Sequence, residues 1–415
     1  MRSHSKPAVE TPSPSLRGED RLRRTLSLPL LVLYGLGVTV GAGIFALVGE
    51  ILGSAGNQAP LAFLVAGAIA GFTGISYMAL VAQFPRAGGE AVYVRNGLGS
   101  TAGRVAGLGV VVTGIISSAV VALAFAGYVS TIVAVPERAI AVGIVVLLCS
   151  VAWWGVKESV ILAAVVTVLE VGTLLVVVGF GIPGLEVDTI APSFNLFADG
   201  AVGPVFAGAG LAFFAFIGFE DIANMAEETI DPRRTAPQAI AWTLGITLLA
   251  YVALAVIAAS LPNRSEIAES SAPMAVIFSE VSGLDSAPIA TIASFAMVNG
   301  ILVQIVMAAR VLYGMASDGQ LPDALAAVNA VHQTPARATA LVGVAIVVLT
   351  VFFPLVTLAK ATSIITLTVF TLVNVALVRL TRTNQELAHR RWLVNGVVGA
   401  VASAGLGVWQ IVELT

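Results

Sequence analysis

Charged side chains are scarce in this sequence: only 11% of its 415 residues are Asp, Glu, Lys or Arg, and 58% are hydrophobic. Soluble domains carry about 25% charged residues, so this chain has too few to cover a water-exposed surface. The composition excludes a soluble enzyme and a disordered scaffold. The net charge of −3 includes no basic tract that would indicate a nucleic-acid partner.

Cysteine and histidine are almost missing. The single cysteine, Cys149, lies inside an apolar run, so neither an intrachain disulfide nor a thiolate metal cluster can form. The three histidines, His4, His332 and His389, all lie outside the apolar runs and offer no metal site or proton relay within a membrane. No hydrolase motif is present. We therefore predict that the protein is not an enzyme and holds no metal ion or other cofactor.

What the sequence has instead is a series of long apolar runs. A helix that crosses a membrane needs about 20 mostly apolar residues. Eleven runs of that kind, numbered here as spans 1 to 11, cover 29–54, 60–84, 104–132, 139–156, 159–182, 203–229, 238–260, 287–316, 339–356, 361–379 and 392–412. We predict an all-α membrane protein with about 11 transmembrane helices. Residues 1–28 are predicted to be a disordered cytoplasmic tail, because the run that follows is too long for a signal peptide.

The basic residues predict the orientation in the membrane. With a cytoplasmic amino terminus, 18 of the 21 Lys and Arg residues fall on the cytoplasmic side. Only Arg138, Arg264 and Lys360 fall outside. This excess of basic residues on the cytoplasmic side is what the positive-inside rule describes, so it supports this orientation. We expect a multi-pass protein in the lipid bilayer of the plasma (bacterial inner) membrane. With eleven spans, its carboxyl end is expected outside.

Two spans carry features typical of interrupted helices. Span 1 has three glycines within residues 37–43, and span 6 has Gly218 followed by the acidic pair Glu220 and Asp221. Glycines four residues apart also let helices pack closely, so span 1 leaves two interpretations open. Carboxyl groups inside a membrane are costly and usually functional, which favours an interruption in span 6.

These two spans hold equivalent places in the chain. Spans 1–5 occupy residues 29–182 and spans 6–10 occupy residues 203–379, so each feature lies in the first span of its half. Because five is odd, the halves would have opposite topology, and interrupted helices in inverted repeats are typical of secondary transporters. We predict a five-plus-five inverted repeat with broken helices 1 and 6. An inner loop and span 11 would follow at 380–415.

Four motifs stand in a fixed order along the chain. Span 1 reads Val40-Gly41-Ala42-Gly43-Ile44-Phe45, and the loop after span 2 reads Phe84-Pro85-Arg86-Ala87-Gly88-Gly89. Span 6 reads Phe214-Ala215-Phe216-Ile217-Gly218-Phe219-Glu220, and span 8 ends Ala309-Arg310-Val311-Leu312-Tyr313. Together they resemble the amino acid–polyamine–organocation (APC) superfamily of permeases, near the bacterial relatives of cationic amino acid transporters. The superfamily usually has twelve spans, and eleven are counted here.

The resemblance implies an amino acid substrate bound where spans 1 and 6 are interrupted. Free N–H groups after a break suit its carboxylate, and free carbonyls before a break suit its ammonium group. The residues implied to line the site are Thr39, Val40, Ala42, Gly43, Ile44, Ala215, Phe216 and Ile217, with Phe214 as an aromatic lid. For Phe214 the alternative is an ordinary packed aromatic side chain.

Two further sets of residues are expected to act at this site. Gly114, Ser118 and Gln304, in spans 3 and 8, are predicted to set side-chain specificity; for Ser118 and Gln304, ordinary interhelical hydrogen bonds are the alternative. Glu170 lies mid-way along span 5, where some proton-coupled relatives have a lysine, and no basic residue shares that span. We hypothesise that Glu170 or Glu220 carries a coupling proton. A permanently protonated, structural carboxyl group is the alternative.

The sequence thus predicts a secondary active transporter that moves amino acids by alternating access, with a proton as the coupling partner. An exchanger, or a transporter of polyamines or other organic amines, is the alternative within this class. A transport-dead nutrient sensor on the same fold is the alternative from another class. The sequence predicts no particular oligomeric state.

Overall fold

The computed structural model describes residues 24–86, 88–155, 160–186, 190–196, 200–329 and 331–414. Within these ranges no β-strand is present beyond an isolated parallel bridge between Leu26 and Thr229. The α-helices are α1 (Leu28–Ala55), α2 (Ala59–Gln83), α3 (Gly89–Leu98), α4 (Ser100–Ser130), α5 (Glu137–Trp154), α6 (Val160–Gly181), α7 (Val202–Phe216), α8 (Asp221–Asn224), α9 (Pro232–Ser260), α10 (Arg264–Glu269), α11 (Pro273–Ser282), α12 (Ala287–Ser317), α13 (Ala336–Phe352), α14 (Leu355–Thr383) and α15 (Arg390–Leu414).

The predicted spans fall on these helices. Span 6 coincides with α7 and α8, and the other ten coincide with α1, α2, α4, α5, α6, α9, α12, α13, α14 and α15. Among the described residues, nine helical segments are long and apolar enough to cross a membrane. Three apolar helical segments are shorter: Leu28–Gly41, Pro273–Ser282 and Ala336–Phe352. The prediction of an all-α, multi-pass membrane protein is confirmed.

Proline and glycine set several helix boundaries. Pro60 and Pro232 lie in the first turns of α2 and α9, where a missing backbone N–H costs no hydrogen bond. Gly155 directly follows α5 with φ of 88°, and Gly283 directly follows α11 with φ of 68°. Both values lie in the left-handed region that glycine adopts without strain.

Helix α1 is surrounded by other helices. It packs against α6, α7, α9 and α12, and side chains along its length, including Leu31, Ile44 and Ile51, are fully buried. Helix α2 packs against α7 and α9, while α14 packs against α4 and α15. The interior of the molecule is therefore built around α1 and α7.

The backbone of α1 corrects one prediction. The helix runs without interruption from Leu28 to Ala55, so the break predicted in span 1 is absent. Its glycines instead lie against the neighbouring helices α6 and α7. Close packing, the other interpretation of these glycines, is what the structure shows, because a small residue lets two helix backbones approach.

A buried polar network joins α2, α14 and α15. Ser76 Oγ donates to Asn374 Oδ1 at 2.6 Å, and Asn374 Nδ2 donates to Thr73 Oγ1 at 3.0 Å. Asn395 Nδ2 of α15 donates to Ser76 Oγ at 3.0 Å. Hydrogen bonds between membrane helices contribute about 0.6 kcal/mol each on average. The network therefore fastens the last helix to the body of the protein.

Two predicted segments stay predictions. The division into inverted repeats over 29–182 and 203–379 is one of them. The other is the tail: residues 1–23 lie outside the described residues, and α1 begins at Leu28.

Candidate functional site

The interruption predicted in span 6 is present between α7 and α8. Helix α7 ends at Phe216, Ile217 is extended with φ of −64° and ψ of 135°, and α8 begins at Asp221. Glu220 Oε2 accepts a hydrogen bond from the backbone N–H of Gly218 at 2.8 Å. The carboxyl group thus satisfies an N–H that the broken helix leaves without a helical partner.

Gly218 is needed at this point for two reasons. Its φ of 123° lies in the region that side-chain-bearing residues rarely adopt. A Cβ atom there would lie 2.8 Å from Val38 Cγ1 and 2.9 Å from the Val38 carbonyl carbon. The interruption therefore rests directly on the backbone of α1.

Two glycines of α1 contact the residues predicted to form the site. A Cβ atom on Gly43 would lie 2.8 Å from Ala215 Cα, and one on Gly41 would lie 3.1 Å from Glu170 Oε1. Because α1 is continuous, its own helical hydrogen bonds occupy the N–H groups that were predicted to hold a substrate carboxylate. These groups are not available in this conformation.

Tyr251 of α9 links the two helices, a role that sequence reasoning missed. Its hydroxyl oxygen lies 2.8 Å from the Thr39 carbonyl and 3.0 Å from the Ala215 carbonyl, so one O–H is shared between α1 and α7. The ring packs edge-on against Phe216, with centroids 5.3 Å apart. The available signal was that Tyr251 is the only tyrosine in span 7.

Glu170 lies inside the protein without a polar partner. Its side chain is fully buried, and neither carboxyl oxygen has a hydrogen-bond partner among the described residues. Helix α6 directs it at Gly41 of α1. A charged carboxylate in this place would be very unfavourable, so the group is neutral unless the surroundings change.

A small cavity opens beside the interruption. Its walls come from α3, α4, the α7–α8 junction, α8, α12 and α14 and are formed by Glu90, Val110, Thr113, Ile217, Glu220, Asp221, Gln304, Met307, Thr366, Val369 and Phe370. The cavity holds about 20 Å3, and a single water needs about 10–15 Å3 on this measure. The conformation described here is therefore closed to an amino acid.

Three carboxyl groups line this cavity. Glu90, Glu220 and Asp221 are each more than nine-tenths buried, and none forms an ion pair with a basic residue in the described ranges. Glu90 accepts a hydrogen bond from the Tyr77 hydroxyl at 2.9 Å. Burial raises the pKa of the Glu90 carboxyl above its ordinary value, and the Tyr77 hydrogen bond partly opposes this. The wall of the cavity is suited to a positively charged or proton-donating group.

The residues predicted to set specificity lie together near this cavity. A Cβ atom on Gly114 would lie 3.2 Å from Gln304 Oε1, and that oxygen is buried without a partner among the described residues. Ser118 Oγ donates to the Gly114 carbonyl within its own helix at 2.7 Å. Gln304 therefore has a free acceptor at the cavity, whereas the Ser118 hydroxyl is already engaged within α4.

The remaining predicted residues lie on α1 and α7 and are not among the cavity walls. Thr39, Val40, Ile44, Phe214 and Phe216 are all buried, with at most 4% of any side chain exposed. The Ala42 side chain lies outside the described residues. Of the predicted lining set, Ile217 reaches the cavity, together with Gln304 and Glu220. Glu90, Thr113 and Thr366 join them without having been predicted.

The chain is similar to known transporters along most of its length. Residues 26–413 match the family model described as amino acid permease. An uncharacterized transporter of Mycobacterium tuberculosis is 38% identical over 336 residues, which make up 80% of this chain and 74% of that protein. The branched-chain amino acid permease of Bacillus subtilis is 26% identical, covering 89% of this chain and 83% of that protein. Cationic amino acid transporter 1 of Arabidopsis thaliana is 29% identical, covering 87% of this chain and 63% of that protein.

Proposed function

The chain belongs to the amino acid permease family of the APC superfamily, and from that premise we propose that it moves amino acids across the membrane by alternating access. It is a transporter and not an enzyme. The observation that carries the proposal is the interrupted helix at Ile217–Glu220, which lies beside a cavity lined by buried carboxyl groups.

The closed cavity supports the proposal of alternating access. A cavity of about 20 Å3 admits no amino acid, so substrate entry requires α7 or its neighbours to move. The residues Ile217–Glu220 form no regular α-helix and can serve as the hinge, because a few non-helical residues absorb the change in backbone angles. The shared hydrogen bond of Tyr251 to Thr39 and Ala215 is the contact that such a movement would break.

We propose a proton as the coupling ion, with Glu170 as its carrier. The supporting observation is that both oxygens of this buried carboxyl group lack a partner among the described residues. Release of the proton would leave a charge facing Gly41 in α1. Since an unpaired buried charge is costly, deprotonation would favour a conformation in which α1 and α6 separate and water reaches the group. Glu220 is the second candidate carrier.

The substrate class is proposed from the side chains at the cavity. Gly114 leaves room beside Gln304, whose free oxygen accepts a hydrogen bond from an ammonium or amide group. Glu90, Glu220 and Asp221 place carboxyl oxygens on the wall, which accept hydrogen bonds from an ammonium group. Amino acids fit this combination, and an organic amine is the second candidate because the same carboxyl groups would attract it.

We also propose the plasma membrane as the location, with the amino terminus in the cytoplasm. The support is the distribution of basic residues, since 18 of the 21 Lys and Arg residues would then face the cytoplasm.

The test is uptake by the purified full-length protein in proteoliposomes. A panel of labelled amino acids and polyamines is offered with a proton gradient, with a sodium gradient, and with neither. Uptake of one or more amino acids that rises with an inward proton gradient is expected. Uptake only against an internal amino acid would indicate an exchanger, uptake of polyamines alone would indicate the organic amine alternative, and no transport of any compound would favour a sensor.

A further inference from the structure

A groove on the outside of the helix bundle lies apart from the central cavity. It runs between α2 and the first turns of α15, has a volume of about 470 Å3, and is lined by Phe72, Arg390, Arg391, Val394, Asn395 and Val398. Because α15 is one of the candidate membrane spans, its first turn lies at a membrane surface. The groove therefore joins the interface to the hydrocarbon region.

The polar end of the groove has unbalanced positive charge. Arg390 and Arg391 are exposed, and neither forms an ion pair with an acidic residue in the described ranges. Residues 379–391 contain four arginines and one acidic residue, Glu386. Two arginines in the first turn of a helix also oppose its dipole, which favours negative charge there. An anion bound between them would relieve both effects.

The other end of the groove is apolar. Phe72 is 37% exposed, Val394 52% and Val398 37%. The floor is held in place by Asn395, whose Nδ2 donates to the Phe72 carbonyl at 2.8 Å and to Ser76 Oγ at 3.0 Å. A fixed surface with charge at one end and apolar side chains along the rest matches a ligand that is itself amphipathic.

We propose that this groove binds one anionic phospholipid, with its phosphate at Arg390 and Arg391 and an acyl chain along Phe72, Val394 and Val398. Basic residues beside a membrane span attract acidic headgroups, and the predicted orientation places this site in the inner leaflet. The amino-terminal segment of this chain does not complement the groove. Residues 1–23 hold five basic and three acidic side chains and so carry positive charge themselves.

The test is lipid binding by the delipidated full-length protein in detergent, followed by native mass spectrometry. Phosphatidylglycerol is titrated as the probe, and phosphatidylcholine serves as the uncharged comparison. Each arginine near a membrane surface contributes about a 5-fold gain in affinity for acidic lipid. R390Q/R391Q is therefore expected to weaken the tightest phosphatidylglycerol site about 30-fold without changing phosphatidylcholine binding.

The matched control is R233Q/R234Q, which removes an adjacent pair of exposed arginines in the first turn of α9. It should leave the tightest site intact. Equal affinity for the two lipids in the wild type, an unchanged site in R390Q/R391Q, or equal losses in both double variants would overturn the proposal. The melting temperature of each variant without added lipid shows whether it is folded. If R390Q/R391Q does not fold, the single variants R390Q and R391Q are measured in its place.

A second variant separates a lipid from a soluble anion. Val398→Trp fills the apolar part of the groove and keeps both arginines. This variant should bind phosphatidylglycerol severalfold more weakly than the wild type. Inorganic phosphate at millimolar concentration, tested as a competitor, should have little effect on phosphatidylglycerol binding by the wild type. Full displacement by phosphate together with unchanged lipid binding in V398W would identify an anion site that does not use the groove, and would refute a lipid.

Discussion

Replacing Gly218 by alanine tests the interrupted helix at its tightest point. With φ of 123°, alanine would occupy a strained backbone conformation, at a cost of about 1–3 kcal/mol. Its Cβ would also lie 2.8 Å from Val38 Cγ1, and overpacking of this kind costs about 1–3 kcal/mol. The two effects together predict a loss of about 2–6 kcal/mol in the free energy of unfolding.

The assay is unfolding of the purified protein by sodium dodecyl sulfate titration, with Gly245→Ala as the matched control. Gly245 lies within α9 and has no atom within 4 Å of a Cβ position, so alanine there should stabilise the helix by about 0.5–1 kcal/mol. Adding Val38→Ala to G218A should recover only part of the loss, because the Val38 carbonyl carbon stays 2.9 Å away. If G218A unfolds like the wild type and transports at the same rate, the geometry assigned to Ile217–Glu220 is refuted.

Three further substitutions test other contacts. Tyr251→Phe leaves the Thr39 and Ala215 carbonyls without their shared donor and should lower the free energy of unfolding by about 1–3 kcal/mol; a change near zero would mean that this bond does not join the helices. Glu170→Gln should abolish uptake driven by a pH gradient in proteoliposomes while exchange between internal and external substrate continues, and full pH-driven uptake would exclude this residue as the proton carrier. Asn374→Ala removes the α14 part of the α2–α14–α15 network and should cost about 1–2 kcal/mol in the same unfolding assay with transport retained; unchanged stability would show that these hydrogen bonds do not hold α14 against α2.

The transmembrane helices were predictable because a helix that crosses a membrane must consist of a long run of mostly apolar residues. A span must satisfy its backbone internally and face lipid, so long apolar runs of sufficient length have few other structures open to them. Helix α3 was not predicted in this way. It has ten residues and follows a loop motif, so neither its length nor its hydropathy separates it from a polar loop.

The candidate site was predictable in part. The interruption at Gly218 carried its own signal, because two acidic residues follow it inside an apolar run. The sequence signal of the α1 glycines was ambiguous. A glycine that interrupts a helix and a glycine that lets a neighbour such as Ala215 approach have the same sequence pattern. Only the position of the neighbouring helix separates the two.

Glu90 and Tyr251 were missed for a related reason. Their places at the cavity and at the α1–α7 contact depend on residues more than 30 positions away in the chain, such as Ala215 for Tyr251. A single sequence contains no local pattern for such contacts. Glu170 was found because a lone carboxyl group within an apolar span is conspicuous without any knowledge of its neighbours.

Counterflow in proteoliposomes tests the central claim most directly. Vesicles holding the full-length protein are loaded with an unlabelled amino acid mixture, diluted, and offered trace amounts of each labelled amino acid without any ion gradient. The proposed function predicts a transient accumulation of at least one amino acid in wild-type vesicles and none in vesicles without protein. Wild-type vesicles that accumulate no amino acid would contradict it.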